Sequence, residues 1–434
     1  MGGERRQVGR LLRQRLPHDL LEIARTAGGL ADRTGQALFL VGGCVRDLLL
    51  GQPLLDLDLL LEGDAVAFAP KLARELGAHC KTDKRFGTAA LRLPNRRLVH
   101  LATARTEFYE CPGALPKVEP STVEQDLRRR DFTINAMAIQ LNSDRFGRLL
   151  DQFGGQRDLT EGVIRVLHDL SLVDDPTRLI RSVRFEQRYR FHMDEQTEAL
   201  ERQAIGSGLL GRVSDARVRD ELIPVLSEQR PLPVLRRMRN LGLLTAIHPS
   251  LTLDRVIGAR LEQTRRLLSW SATHAAEAKV EPWIAYFLAL TSEMEPRELP
   301  SLARRLRLGR RAVLAPHASL DARESVLPRL ASRKRMRPSE IYRALCHLPA
   351  EVVLYLAAIT DSASARERLR AFISELRHRR PSISGADLIA LGYRPGPAFG
   401  EAMEAVHDAL LDGKVHTREQ QLSLARRFLD WAEG

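Results

Sequence analysis

Aromatic residues are scarce in this chain of 434 residues, at 5%. Its cores must therefore be built from Leu, Ala, Val and Ile rather than from stacked rings. Lysine is scarcer still: seven residues, against 60 arginines. There are four cysteines, Cys44, Cys80, Cys111 and Cys346, and no CxxC pair. That spacing argues against a zinc site or a disulfide framework and fits a reducing, cytoplasmic setting. No apolar run is long enough to span a bilayer. The basic N-terminal stretch lacks the apolar segment of a secretion signal, so no membrane association is expected.

Basic residues outnumber acidic ones, and the formal charge is +12. Such a surface attracts polyanions, RNA or anionic membrane among them. Arginine forks suit phosphates and stack on bases. A GC-rich genome produces the same bias, with many arginines merely solvated, so charge alone does not decide for RNA. The 44% of hydrophobic residues is too high for a disordered chain, and the length implies two to four packed units.

The N-terminal part alternates strand-like and helix-like segments. A leading helix over Asp19–Arg33 is expected to be interrupted at Gly28–Gly29. Strands are expected over Ala37–Val41, Leu54–Leu61, Gly87–Leu93 and Arg96–Ala104, with helices over Val45–Leu50 and Ala65–Leu76. After Gly162, Leu/Ala/Arg segments at helical spacing dominate, punctuated by prolines at short connections.

Three segments carry chemistry. In the first, Val41–Leu60, Gly42 and Gly43 stand between a strand and a helix. Bare backbone there can approach a phosphate, with Arg46 one turn inside the helix; a plain tight turn is the alternative. Asp56 and Asp58 are two apart on the following strand and so share a face. Either they project into water, or a divalent cation relieves their repulsion. In the second, Asp126–Ile139, three arginines precede an apolar stretch, and Arg130 beside Asp131 suggests a fixed pair. In the third, Asp174–Phe185, Asp175 reads as a helix N-cap and Pro176 as the first helical residue. Arg178, Arg181 and Arg184 then form one row, which is either a solvated face or a reader of base and phosphate. The dipeptides His168–Asp169 and His407–Asp408 invite a metal-phosphohydrolase reading, but neither has a second histidine at ligand spacing.

Taken together, GGCVRDLLLG, DLD, FGT, ATARTEFYECPGALPKVEP, RRDFTINA, DQFGGQRDLTEGVIR and DDPTRLIRSVRF resemble class II CCA-adding enzymes and bacterial poly(A) polymerases. SDARVRDELIPVL and Gly385–Val415 resemble the neck and tail of tRNA nucleotidyltransferases. The resemblance implies an α+β chain: a small mixed-sheet nucleotidyltransferase head (1–160, with the leading helix), then an all-helical neck (161–230), body (231–375) and RNA-binding tail (376–434). It implies Mg²⁺ on Asp56 and Asp58, and an incoming nucleotide held by Gly42, Gly43, Arg46 and Arg130. Asp175 and Arg178 would read the base edge, with Arg181 and Arg184 close by. The expected activity is addition of CCA or a terminal A to tRNA 3′ ends from CTP and ATP, with pyrophosphate released. Poly(A) synthesis and a non-catalytic RNA-binding role are the alternatives. The sequence departs from the family at His100, where many relatives carry a carboxylate; Glu107 is a candidate replacement. Asp174 stands where Glu is usual, and Leu55 where a polar residue is frequent.

Overall fold

A computed structural model describes residues 2–114 and 116–433. The chain forms two compact units, Met1–Glu221 with Asn240–Ile247, and Leu222–Arg239 with His248–Gly434.

The first unit is built on a seven-stranded mixed sheet. Its strands are β1 (Ala37–Val41), β2 (Leu57–Glu62), β3 (His79–Asp83), β4 (Thr88–Arg92), β5 (Leu98–Thr103), β8 (Ala138–Gln140) and β9 (Leu149–Leu150), in the spatial order β3-β4-β5-β2-β1-β8-β9. β2 and β5 run parallel, with Asp58 opposite His100, and the other neighbours are antiparallel. A separate hairpin pairs β6 (Arg105–Phe108) with β7 (Lys117–Pro120).

Alternation along the strands assigns the two faces. Leu57, Leu59, Leu61, Val99 and Leu101 are buried on one side. There the first amide of helix α4 (Ala65–Leu76) donates to Thr103 Oγ1 at 3.0 Å, and Asp64 caps the helix by accepting from Ala67 N. On the other side, Val123 and Leu127 of helix α5 (Val123–Arg128) pack on Phe39, Val41, Leu60 and Ala138. Each fully buried leucine there contributes about 1.5–3 kcal/mol. This second face is covered only over β1, β2 and β8. Toward β4 and β3 it carries the half-buried Ala90, Ala102 and Thr88 and the exposed His100 and Lys81.

The leading helix differs from expectation. α1 (Gly2–Arg15) precedes α2 (His18–Arg33), and α2 passes through Gly28–Gly29 without a break. Gly28 serves packing: a Cβ there would lie 2.2 Å from the carbonyl oxygen of Leu141. β2 starts at Leu57 rather than Leu54, so Asp56 lies just before the strand. Beyond the sheet come α3 (Gly43–Leu50, between β1 and β2), α6 (Gly155–Glu161), α7 (Ser171–Asp174), α8 (Arg178–Tyr189), α9 (Glu195–Gly206) and α10 (Asp215–Leu226).

The second unit is helical. Helices Arg255–His274, Pro282–Leu290, Arg310–Ser325 and Ala350–Ile359 pack around one another. Glu351 is fully buried there and accepts from Arg311 at 2.6 Å. Ile383, Leu388, Ala402, Val406, Ala425 and Leu429 form a smaller core near the C-terminus. No single described helix is long and apolar enough to cross a membrane.

Candidate active site

The site residues of the three segments lie in the first unit, and all but Asp56 line a cavity of about 730 Å³. Its walls carry eight arginines (Arg46, Arg129, Arg130, Arg178, Arg181, Arg184, Arg188 and Arg217) and six acids (Asp58, Glu107, Asp131, Asp175, Asp220 and Glu221).

The diglycine bend forms the floor. Gly42 has φ +63° and ψ −129°, a conformation open essentially to glycine alone. A Cβ there would lie 2.5 Å from Arg130 Nη1, so the missing side chain lets that guanidinium lie against the bend. Arg46 is turned inward and buried. It makes a two-point contact with Asp47 (2.9 and 3.1 Å), donates to Asn135 Oδ1 at 2.6 Å, and lies over the rings of Phe185 and Tyr189. These contacts fix its guanidinium at the cavity wall.

The arginines are held by an inner set of carboxylates. Asp126 is wholly buried and accepts from Arg129 at 2.7 Å and Arg130 at 3.0 Å. Burial raises its pKa, but the two guanidiniums outweigh burial and bring it below the usual range. Asp131 accepts from Arg181 at 2.7 and 3.0 Å and from Asn135 at 2.8 Å. Burial again opposes ionisation, yet Arg181 and the Asn135 bond win and hold Asp131 at about 2. The pair expected between Arg130 and Asp131 is therefore not made; each has a different partner. Glu221 accepts from Arg181 at 3.2 Å and lies 3.8 Å from Arg184, and here burial prevails and raises its pKa.

The third segment also differs from its expected geometry. α8 begins at Arg178 with Thr177 as N-cap, because Asp175 accepts from both the amide and the hydroxyl of Thr177 (3.0 and 2.6 Å). Pro176 falls before the helix. Arg217 pairs with Asp175 at 2.7 Å. Arg178 donates to Ser171 Oγ and to the carbonyl of Arg129, both at 2.6 Å. Asp175 and Arg178 both line the cavity, but each is held by groups other than its partner.

Asp56 and Asp58 behave unlike the other acids. Both are half-buried, and neither forms an ion pair with any described Arg, Lys or His. Asp58 lines the cavity; Asp56 does not, and its Oδ1 accepts from Leu98 N at 2.8 Å. Cys44 is buried beside Asp58, with Sγ 3.6 Å from Oδ2 and 3.3 Å from the Asp58 amide. Glu107 cannot stand in as a third acid, because Arg105, Arg129 and the Tyr109 hydroxyl already occupy its carboxylate. Among the described residues no group of three or more His, Cys, Asp or Glu could close around a metal, and that covers both His-Asp dipeptides.

The chain is similar to known proteins over most of its length. Residues 38–165 match the poly A polymerase head domain, and 190–254 match a probable RNA and SrmB-binding site of polymerase A. The A-adding tRNA nucleotidyltransferase of Halalkalibacterium halodurans is 32% identical over 97% of this chain and 95% of its own length. The chain belongs to the tRNA nucleotidyltransferase and poly(A) polymerase family. The enzyme of the same name from Geobacter sulfurreducens is 39% identical over 99% of this chain, which spans only 49% of that relative's length. The Thermotoga maritima CCA-adding enzyme, solved in complex with tRNA-CCA, has a TM-score of 0.68 at 33% identity, and the match covers 97% of this chain and 98% of that one.

Within this nucleotidyltransferase fold, sequence reasoning missed the partners that hold these groups: Asp126 for Arg129 and Arg130, Arg181 for Asp131, Arg217 for Asp175, and Glu221 for Arg181 and Arg184. The i,i+3 and i,i+4 spacing of Asp126 to Arg129 and Arg130 was the available signal for the first pair. Nothing local could have revealed Asp131 with Arg181, fifty residues apart in sequence.

Proposed function

We propose that this protein adds the terminal adenosine to tRNA, transferring AMP from ATP to the 3′-hydroxyl of a tRNA ending in CC and releasing pyrophosphate. The observation that carries this reading is the contrast inside one cavity: a triphosphate-sized arginine lining, and a carboxylate that none of those arginines neutralises. Two relatives named as A-adding favour A over CCA addition, and the tRNA-bound relative favours tRNA over other RNA ends.

Two hard oxygen donors without a cationic partner fit a divalent ion whose other ligands are phosphate oxygens and water. Asp56 and Asp58 would hold Mg²⁺. When bound, it would supply the positive charge that stabilises the attacking and leaving oxygens. The chain's own residues position and neutralise. The Gly42–Gly43 bend brings amides to the triphosphate at the start of α3. Arg130 lies against Gly42 and lines the cavity, so its guanidinium can face a phosphate there. Arg181 and Arg184, kept in place by Glu221, face the same charge. Asp175 offers an acceptor to the exocyclic amine that adenine and cytosine share. As a tRNA-processing enzyme, the protein would act in the cytoplasm.

The test uses tRNA transcripts ending before CCA, after C and after CC, each with Mg²⁺ and labelled ATP or CTP. One A on the CC end and no C elsewhere is expected. C incorporation would show CCA addition, a ladder of A would show polyadenylation, and no product at all would leave a binding protein.

A further inference from the structure

A second cavity, of about 480 Å³, shares Gly42, Gly43, Asp58, Arg129 and Arg130 with the first. It is a trough on the uncovered half of the sheet. Strand register shows how it is built: Asp58 on β2 pairs with His100 on β5, His100 with Ala90 on β4, and Ala90 with Lys81 on β3. These four residues make one row across the sheet. The next row on the same face is Leu60, Ala102, Thr88 and Asp83. The small side chains of Ala90, Ala102 and Thr88 hollow the middle, while His100 and Lys81 stand exposed along it. From Asp58 to Lys81 is three strand spacings, roughly 14 Å at about 4.8 Å each.

The two cavities differ in charge. The first has eight arginines and suits a triphosphate. The trough has Arg129 and Arg130 at its inner end, one lysine at its outer end and Asp83 beside it. That is too little positive charge for a triphosphate and enough for a phosphodiester. Its volume lies within the usual range for a small bound group.

We propose that the trough receives the last nucleotide of the RNA being extended, with His100 hydrogen-bonding its ribose and Lys81 pairing with a backbone phosphate. The inference rests on the tRNA-extending activity above. It gives His100 a role in holding RNA rather than metal. Asp58, common to both cavities, then stands where the 3′-hydroxyl and the α-phosphate meet.

The experiment compares the full-length protein with Lys81→Ala and His100→Ala, using a tRNA ending in CC. Three quantities are read: tRNA affinity against salt, KM for ATP, and Mn²⁺ affinity by electron paramagnetic resonance. Lys81→Ala should weaken tRNA binding about tenfold, as for one charge-assisted bond, and lower the log–log salt slope by roughly one. His100→Ala should raise KM for tRNA by about tenfold, leaving KM for ATP and Mn²⁺ affinity as in the wild type. Wild-type tRNA affinity in both variants overturns the proposal, as does a loss of Mn²⁺ affinity in His100→Ala. If the wild type extends tRNA while both variants bind it normally, this inference alone fails. If the wild type extends nothing, the functional reading fails first.

Discussion

Two sets of aspartates lie within the same unit and have opposite circumstances. Asp126 and Asp131 are buried among arginines and ionised by them. Asp58 lines an arginine-rich cavity and Asp56 is two residues away, yet no described arginine pairs with either. The first set is structural: its charge fixes the guanidiniums that face the cavity. The second leaves its carboxylates open to a cation from outside. A carboxylate's role here follows from where its counter-charge originates, within the chain or in solution.

The largest expected effect breaks the second set. Asp58→Ala should lower the rate of AMP incorporation by about a hundred- to a thousandfold, the scale seen when a preorganised charge contact is removed. Its melting temperature should hold or rise, because an uncompensated repulsion disappears. A folded Asp58→Ala protein with near-wild-type turnover would remove the carboxylate from the chemistry.

Breaking the first set should show in stability. Asp131→Asn should destabilise the unit by about 2 kcal/mol at pH 7, the equivalent of a carboxylate moved from its ordinary value to about 2. Because the folded pKa is depressed, this stability is present above about pH 4 and lost as pH falls toward 2. Urea melts at several pH values should therefore show the wild type and Asp131→Asn converging at the acid end. Parallel curves would mean the Arg181 pair does not stabilise the fold. Of comparable size is Gly28→Ala, where a new Cβ meets a backbone oxygen at 2.2 Å. A loss of about 1–3 kcal/mol is expected, as for other overpacked sites, and an unchanged melting temperature would show that α2 can shift freely.

The smallest effect concerns Cys44. Burial, reinforced by Asp58, pushes its thiol well above the ordinary range. Iodoacetamide at pH 8 should modify the exposed Cys80, Cys111 and Cys346 and spare Cys44. Mass spectrometry of the digested protein checks this, and rapid Cys44 labelling would show that the pocket beside Asp58 opens.

What could be read from the sequence follows from how local each signal is. The mixed sheet, the helical remainder and the diglycine bend rest on periodicity and on glycine, both local. β3 escaped notice because all five of its residues, His79–Asp83, are exposed and show no alternation. The break expected at Gly28–Gly29 failed because close packing against Leu141, not helix propensity, determines a glycine there. In the site, residue types pointed to the cavity but not to which charges were already paired. Arg46 reads as a phosphate ligand in sequence; in the structure it lines the cavity while also held by Asn135 and Phe185, which reach it from distant segments.

The central claim is that Asp56 and Asp58 wait for a divalent cation, and a thermal melt with and without Mn²⁺ in the presence of ATP tests it most directly. The wild type should gain stability with Mn²⁺, while Asp58→Asn should start equal or higher and gain little. Equal Mn²⁺ gains in the two proteins would contradict the account.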